Sequence, residues 1–348
     1  TVRVLGWLDR AVVPAGVAGQ GQGVVPLFLA IPETFPEVDG PAVLLREPGR
    51  DIVLLRHTDA TPETLSVALQ PAAAPGVAQP APTSEECVSC HTDIDPGMVA
   101  RAMSSRPLWT LGHADAALAR SQETIVLGRS QRQPVTLVFA LVVSQGIHLY
   151  RGEYAHAITL GDEIIALCRE YEFAQEAEWA RAFQGAAMAY QGQVVEGVAQ
   201  LDASLTTMKA LRSGLVRTTF LALFADALRL AGRIEEGLAA VDEGFAHADL
   251  TTERGFVAEL HRIRGELLRA SGRDADAEES LRSALEEATR QQAPAFELRA
   301  ALSLARALAA TNRADEARRI LTPVYERFTE GQGTVDLAAA RQLLSEMS

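Results

Sequence analysis

The stretch that decides the fold is "LLRASGRDADAEESLRSALEEA", residues 267–288, in which two alanine- and leucine-rich segments flank Gly272. Glycine adopts the left-handed backbone conformation that ends many helices more readily than other residues do. The stretch therefore predicts a helix that ends near Gly272, a tight turn, and a second helix that follows at once.

The same pattern occurs six times along the chain, always at a spacing of 40 residues. The predicted turn residues are Gly112, Gly152, Gly192, Gly232, Gly272 and Asn312. Five residues later the chain has a small residue, as close helix packing requires, at Ala117, Ala157, Gly197, Gly237, Ala277 and Ala317. Four residues before each turn a core position is predicted, at Leu108, His148, Met188, Leu228, Leu268 and Leu308. Six helix-turn-helix units predict a mainly α protein with an α-solenoid over residues 96–348, in which "TVDLAAARQLLSEM" (334–347) forms a capping helix.

The first part of the chain has a different pattern. Residues 1–72 contain short apolar or alternating runs between Pro, Gly and Asp, among them "PAVLLRE" and "DIVLLRHT", which predict a small β-rich domain. The segment "EPGRD" (47–51) is a candidate hairpin turn between two of these runs. Residues 73–95 combine a Pro/Ala-rich linker with a cysteine cluster.

Composition excludes some classes of protein. The net charge of −13 argues against a nucleic-acid partner, because binding phosphates needs clustered Lys and Arg. The sequence has no uncharged apolar run of the length that spans a bilayer, so no transmembrane segment is expected. The chain begins at Thr1 rather than Met. Removal of a signal peptide would explain this start, and so would another truncation.

The repeat region resembles a known class of arrays. "LWTLGHADAALARSQE" (108–123) and the segment from "ELHRIRGELLRASGRDADAEE" (259–279) to "AAARQLL" (338–344) look like the tetratricopeptide-like C-terminal region of bacterial signalling ATPases and class III adenylate cyclases. The chain has no G-x-x-x-x-G-K-[ST] loop and nothing that resembles a cyclase metal site, so the chemistry of those proteins does not carry over. The resemblance then implies a helical scaffold with a concave face.

The cysteine cluster predicts a cofactor. Cys87-Val88-Ser89-Cys90-His91 is the C-x-x-C-H signature of c-type haem attachment, in which two thiols bond the vinyl groups of one macrocycle and His91 ligates the iron. The wider "ECVSCHTDIDPGMV" resembles a haem site of multihaem cytochromes such as the hydroxylamine oxidoreductase group, which implies haem c. A single motif implies one haem.

Alternatives for the cluster stay open. A zinc site would want a second Cys or His pair, whereas Cys168 is alone and is expected to be a buried apolar residue. A thioredoxin-like pair would need a βαβ setting, and a Cys87–Cys90 disulfide would be strained. For the distal side of the iron, His57 is the first candidate and His113 the second, and another copy of the chain is a further source.

These observations together predict a non-enzymatic, periplasmic or extracellular monohaem c-type cytochrome. It would transfer electrons to redox partner proteins, because a six-coordinate haem leaves no open position for a substrate. The solenoid would serve as a docking or assembly surface, either in a homo-oligomer or filament or in a monomer that docks one partner. The alternatives are a haem-free tetratricopeptide-type interaction scaffold from a signalling pathway and a sensor with a five-coordinate haem.

Overall fold

The computed structural model describes residues 12–14, 42–47, 50–55, 96–131, 133–211, 213–214, 216–251 and 253–347. The chain divides into two compact units, Thr1–Ile94 and Asp95–Ser348. Among the described helices, none combines the length and the apolar character that a membrane span requires.

The first unit contains a three-stranded antiparallel sheet. Its strands are β1 (Val12–Pro14), β2 (Ala42–Glu47) and β3 (Arg50–Leu55), in the order β1-β3-β2. The β2–β3 pairing runs from Ala42 opposite Leu55 to Glu47 opposite Arg50, which agrees with the hairpin predicted around "EPGRD". The remainder of the β-rich domain predicted for residues 1–72, and the linker predicted for residues 73–95, lie outside the described residues and stay predictions.

The second unit is built from α-helices alone in its described residues. The helices are α1 (Pro96–Thr110), α2 (Ala114–Gln131), α3 (Pro134–Arg151), α4 (Tyr154–Glu170), α5 (Ala174–Tyr190), α6 (Val194–Ala210), α7 (Arg217–Leu230), α8 (Ile234–Thr251), α9 (Val257–Ala270), α10 (Asp274–Arg290), α11 (Pro294–Ala310), α12 (Ala314–Tyr325) and α13 (Val335–Glu346). Odd-numbered helices up to α11 form the inner layer of the array, and even-numbered helices form the outer layer.

The turns inside the six helix pairs share one geometry. All six predicted turn residues have a positive φ, from +71° at Gly232 to +100° at Gly192 for the glycines and +60° at Asn312. At each turn the next residue donates its N–H to the carbonyl five residues earlier, as from Arg273 to Leu268 at 2.9 Å. This bond satisfies a carbonyl that the helix end would leave unpaired. The six predicted turns are confirmed.

The small residues that follow each turn are buried against the preceding helix. A Cβ atom added to Gly197 would lie 2.5 Å from the carbonyl oxygen of Gly185, a separation that real Cβ atoms do not tolerate. Ala117, Ala157, Ala277 and Ala317 are at most 1% exposed. Two helices of a pair can approach this closely only where side chains are small, so this prediction is also confirmed.

The array closes on itself, which the repeat pattern did not predict. Each inner helix packs on the next, and α11 also packs on α1. At this seam the Trp109 ring meets Phe296 edge-on at 5.4 Å and stacks on Tyr150 at 4.6 Å. The segment predicted as a capping helix, α13, packs on α11 and α12 and also reaches α3. Inward-facing aromatic rings therefore pack together at the seam, where an open solenoid would leave a gap between its first and last repeats.

Candidate functional site

The residues predicted to hold a haem are only partly within the described ranges. Cys87, Cys90, His91 and His57 lie outside the described residues. His113, the second choice for the distal ligand, is 54% exposed, and its Nδ1 lies 3.7 Å from Oε1 of Glu330 at the seam. Within the described part of the chain, no group of three or more His, Cys, Asp or Glu side chains is placed to hold a metal ion.

The third cysteine has the environment that the sequence predicted. Cys168 is free and buried on α4. Burial raises the pKa of its thiol to about 12, so the group is neutral at pH 7 and behaves as a small apolar residue.

A cavity of about 210 Å³ lies among the inner helices of the second unit. Its walls are aromatic and aliphatic side chains together with five charged ones. The aromatic residues are Tyr150, Tyr154, Tyr190 and Phe256, and the charged residues are Arg229, Glu259, Arg299, Arg306 and Asp336. Pockets that enclose a whole small ligand usually measure about 300–1,000 Å³. This cavity has room for one side chain of a larger ligand.

Asp226 is the centre of one half of a buried charge network beside the cavity. Its carboxylate accepts hydrogen bonds from the Tyr190 hydroxyl at 2.8 Å and from Nε of Arg229 at 2.7 Å. The guanidinium of Arg262 lies 3.7 Å away. Burial by itself raises the pKa of Asp226, but Arg229 and Arg262 outweigh it and hold the pKa at about 2. Asp226 is therefore ionised at pH 7.

The other half of the network joins three helices through Glu259 and Arg299. Glu259 accepts two hydrogen bonds from Arg262, both at 3.0 Å, and one from Nε of Arg299 at 3.0 Å. Arg299 also donates to Asp336 on α13 at 3.2 Å. Burial raises the pKa of Glu259, and the two arginines lower it further than burial raises it. A fully paired network of this kind holds α9, α11 and α13 in a fixed arrangement around the cavity.

Two polar groups on the cavity wall lack partners. Tyr150 is 7% exposed, and its hydroxyl makes no hydrogen bond to any described residue. Arg306 is exposed, and its guanidinium has neither an ion pair nor a hydrogen bond within the described ranges. The Tyr150 hydroxyl oxygen itself is fully buried, so of the two groups only the Arg306 guanidinium is open to a ligand.

The charged residues of this site were not predicted, although the aligned repeats contain a signal for them. Glu259 and Arg299 occupy the same position of successive repeats, 40 residues apart. Six residues before each turn the chain has Arg106, Gly146, Ala186, Asp226, Glu266 and Arg306. Charged residues recur at these inner-helix positions, where an array with a purely apolar interior would have apolar or small residues, and they indicate a site inside the array.

Comparison with known proteins places the fold but not a family. No protein-family model matches the chain. An uncharacterized protein of Rhizobium meliloti (strain 1021) is 25% identical over 198 residues, which are 57% of this chain. The chain spans only about a fifth of that relative, 19% of its length.

Three solved structures share the fold of the helical unit. The apo form of RapI aligns with a TM-score of 0.52 and 10% identity over 75% of this chain and 89% of its own. NprR in complex with its cognate peptide NprX aligns with a TM-score of 0.53 and 11% identity over 72% of each chain. Aspartyl phosphate phosphatase F from Bacillus subtilis aligns with a TM-score of 0.51 and 13% identity over 68% of this chain and 62% of its own. The helical unit therefore has a tetratricopeptide-like solenoid fold.

These findings correct the predicted function. The prediction of a monohaem cytochrome that transfers electrons to redox partners is wrong: the structures that share the fold are tetratricopeptide-like proteins, one of them in a peptide complex, and they favour the interaction-scaffold alternative. Attachment of haem c at Cys87, Cys90 and His91, with His57 as distal ligand, concerns residues outside the described ranges and stays a prediction. The periplasmic or extracellular location and the homo-oligomer or filament also stay predictions.

Proposed function

We propose that the helical unit is a protein-interaction scaffold that binds a peptide segment of a partner protein at the central cavity. The observation that carries this proposal is a cavity with aromatic walls whose lining includes Arg306, an arginine that has no partner within the described residues. Aromatic and arginine side chains contribute most to binding energy where they line a pocket. As in the prediction from sequence, we propose no enzymatic activity.

Several features support a peptide as the ligand. The cavity has room for one anchoring side chain, while the rest of a peptide would lie over the rim, where Val335 and Arg306 are exposed. NprR, which shares the fold, was solved in complex with its cognate peptide NprX, and this observation concerns NprR itself. A paired charge network around the cavity keeps the walls in place before the ligand arrives, which lowers the entropic cost of binding.

The proposal is tested with random peptides. A phage-displayed library of random 12-residue peptides is selected on the immobilised full chain, and enriched peptides are synthesised with a fluorescent label. Fluorescence anisotropy then measures their affinity for the wild type and for Val335→Trp, which places an indole at the cavity rim. We expect saturable binding to the wild type and a loss of at least about tenfold, equivalent to about 1.4 kcal/mol, in the variant.

The matched control is Val195→Trp. Val195 lies on α6, is 77% exposed and does not line the cavity, whereas Val335 is 40% exposed and does. Both variants add the same indole to an exposed position, and thermal unfolding verifies that both are folded. Enriched peptides that bind Val335→Trp as tightly as the wild type contradict the cavity as the site. A selection that enriches no peptide over an unrelated immobilised protein contradicts the function itself.

A further inference from the structure

We propose that residues 326–337 form a strap whose closure is coupled to binding at the cavity, so that a bound peptide holds the two ends of the array together. The strap comprises the segment between α12 and α13 and the first residues of α13. This inference rests on the proposed function and adds the regulation of the same site. It makes occupancy of the cavity and closure of the array one equilibrium.

The strap covers the turns of the first two repeats. A Cβ atom added to Gly112 would lie 2.9 Å from Cε1 of Phe328, and one added to Gly152 would lie 2.8 Å from Cβ of Val335. Within the described residues, nothing beyond the chain neighbours lies within 4 Å of such an atom at the turns of the next three repeats, Gly192, Gly232 and Gly272. The strap therefore occupies a place that only the first two turns provide.

The cavity is built from both ends of the helical array. Its lining residues come from α3, α4, α5, α7, α9, α11 and α13, in the order of the chain. The last of these helices, α13, packs on the first, α3, and it contributes Val335 and Asp336 to the wall. If the strap leaves the first two turns, these two residues leave with it and the cavity loses one side. The complete cavity therefore exists only while the strap is closed.

Exposed polar contacts hold the strap to the first repeat. The Gly331 amide donates to Oδ2 of Asp115 at 2.9 Å, and Oε1 of Glu330 accepts from the Ala116 amide at 3.4 Å. The Asp115 side chain is 54% exposed, so water competes for these bonds. Gly331, at φ +72°, and Gly333 give the strap the backbone freedom that opening requires. A segment held in this way opens at a lower free-energy cost than the whole unit unfolds.

A peptide that contacts both sides of the cavity favours the closed strap. In the open state it loses its contacts with Val335 and Asp336, and a difference in affinity between two states is what shifts a conformational equilibrium. If the peptide binds the closed state alone, the open population falls about 100-fold at a free peptide concentration of 100 Kd. Asp336 extends the coupling to the charge network, because it accepts a hydrogen bond from Arg299 at 3.2 Å.

The test is hydrogen exchange of the Gly331 amide in the full chain, measured by mass spectrometry with fragmentation that resolves single residues. This amide donates across the seam to Asp115, so its exchange rate reports the population of the open strap. The probe is the tightest-binding peptide from the random library, at 100 times its Kd. We expect exchange to slow about 100-fold. The control amide is that of Gln193, which follows the third turn and bonds Met188 at 2.9 Å within one repeat, and its rate should change less than about twofold.

A pair of variants tests the strap without the peptide. Phe328→Ala removes the contact with Gly112 at a position that does not line the cavity, and it should speed exchange of the Gly331 amide at least about tenfold. The matched control is Phe245→Ala on α8, where a partly buried ring packs against His261 at 4.6 Å, and it should leave that rate unchanged. Thermal unfolding verifies that both variants are folded.

The outcomes separate this inference from the proposed function. A peptide that binds the wild type but leaves exchange of the Gly331 amide unchanged overturns the coupling and leaves the proposed function standing. Equal slowing at Gly331 and Gln193 means that the peptide stabilises the whole unit, which also overturns the coupling. If Phe328→Ala exchanges no faster than Phe245→Ala, the strap is not held as argued. A selection that yields no peptide overturns this inference together with the proposed function.

Discussion

Replacing Asp226 with Asn is expected to destabilise the helical unit strongly. The Asp226 side chain is 5% exposed and accepts hydrogen bonds from Tyr190 and Arg229. The change keeps the shape and one acceptor oxygen but removes the charge, so that Arg229 loses its buried counter-ion. Arg262, at 3.7 Å, keeps its bonds to Glu259 and is affected less.

The magnitude follows from the pKa of Asp226. Its charged partners lower this pKa from 3.8 to about 2, against the opposite effect of burial. One pH unit corresponds to about 1.4 kcal/mol, so the ionised form contributes about 2 kcal/mol to the free energy of unfolding at pH 7. Breaking a buried ion pair from one side costs about 3–5 kcal/mol. Because Asn retains one hydrogen bond, we expect a loss of about 3 kcal/mol, or a fall in Tm of about 6–12 °C.

The dependence on pH has a defined sign. A carboxyl group whose pKa is lower in the folded state contributes stability above its unfolded pKa, and that contribution is lost as pH falls toward the folded pKa. The difference in unfolding free energy between the wild type and Asp226→Asn should therefore narrow by about 1 kcal/mol between pH 6 and pH 3. Thermal unfolding followed by circular dichroism at several pH values measures both the fall in Tm of Asp226→Asn and the change of the stability difference with pH.

Asp276→Asn is the control for this prediction. Asp276 pairs with Arg273 at 2.6 Å on the surface, with side chains 51% and 56% exposed, and its loss should change stability by less than about 0.5 kcal/mol. If Asp226→Asn lowers Tm no more than Asp276→Asn does, the buried network does not stabilise the fold as argued. Parallel pH curves for the wild type and Asp226→Asn would refute the assigned pKa.

Three further changes have expected outcomes. Tyr150→Phe removes a buried hydroxyl that has no partner and should raise the free energy of urea unfolding by about 1 kcal/mol, whereas a loss of that size would mean that the hydroxyl is hydrogen-bonded. Glu172→Gly replaces an exposed residue at φ +60° and should raise the free energy of urea unfolding by about 0.5–1 kcal/mol. An unchanged urea midpoint would contradict strain at this turn. Asp115→Asn weakens the bonds from Arg151 at 2.8 Å and the Gly331 amide at 2.9 Å, at a cost of about 1 kcal/mol because Asp115 is 54% exposed. Hydrogen exchange of the Gly331 amide should become faster in Asp115→Asn, and an unchanged rate would mean that the seam does not depend on this carboxylate.

The cysteine cluster illustrates the limit of a short motif. Cys87-Val88-Ser89-Cys90-His91 predicted electron transfer, and the fold of residues 95–348 corrected that function. A motif of five residues indicates a type of chemistry, but the function of a chain depends on the structure that surrounds the motif. The repeat, with about 240 residues in phase, carried more information than the cluster.

The sequence by itself determined the helical repeat. A left-handed turn residue and a small residue five positions later act over one helix end, so their effects are local and can be read from Gly272 or Ala277 without any distant contact. The tertiary structure alone decided that α11 returns to α1 and that Tyr150, Glu259 and Arg306 line one cavity. Closure depends on a small rotation between successive repeats that accumulates over six of them, and no single repeat encodes the sum.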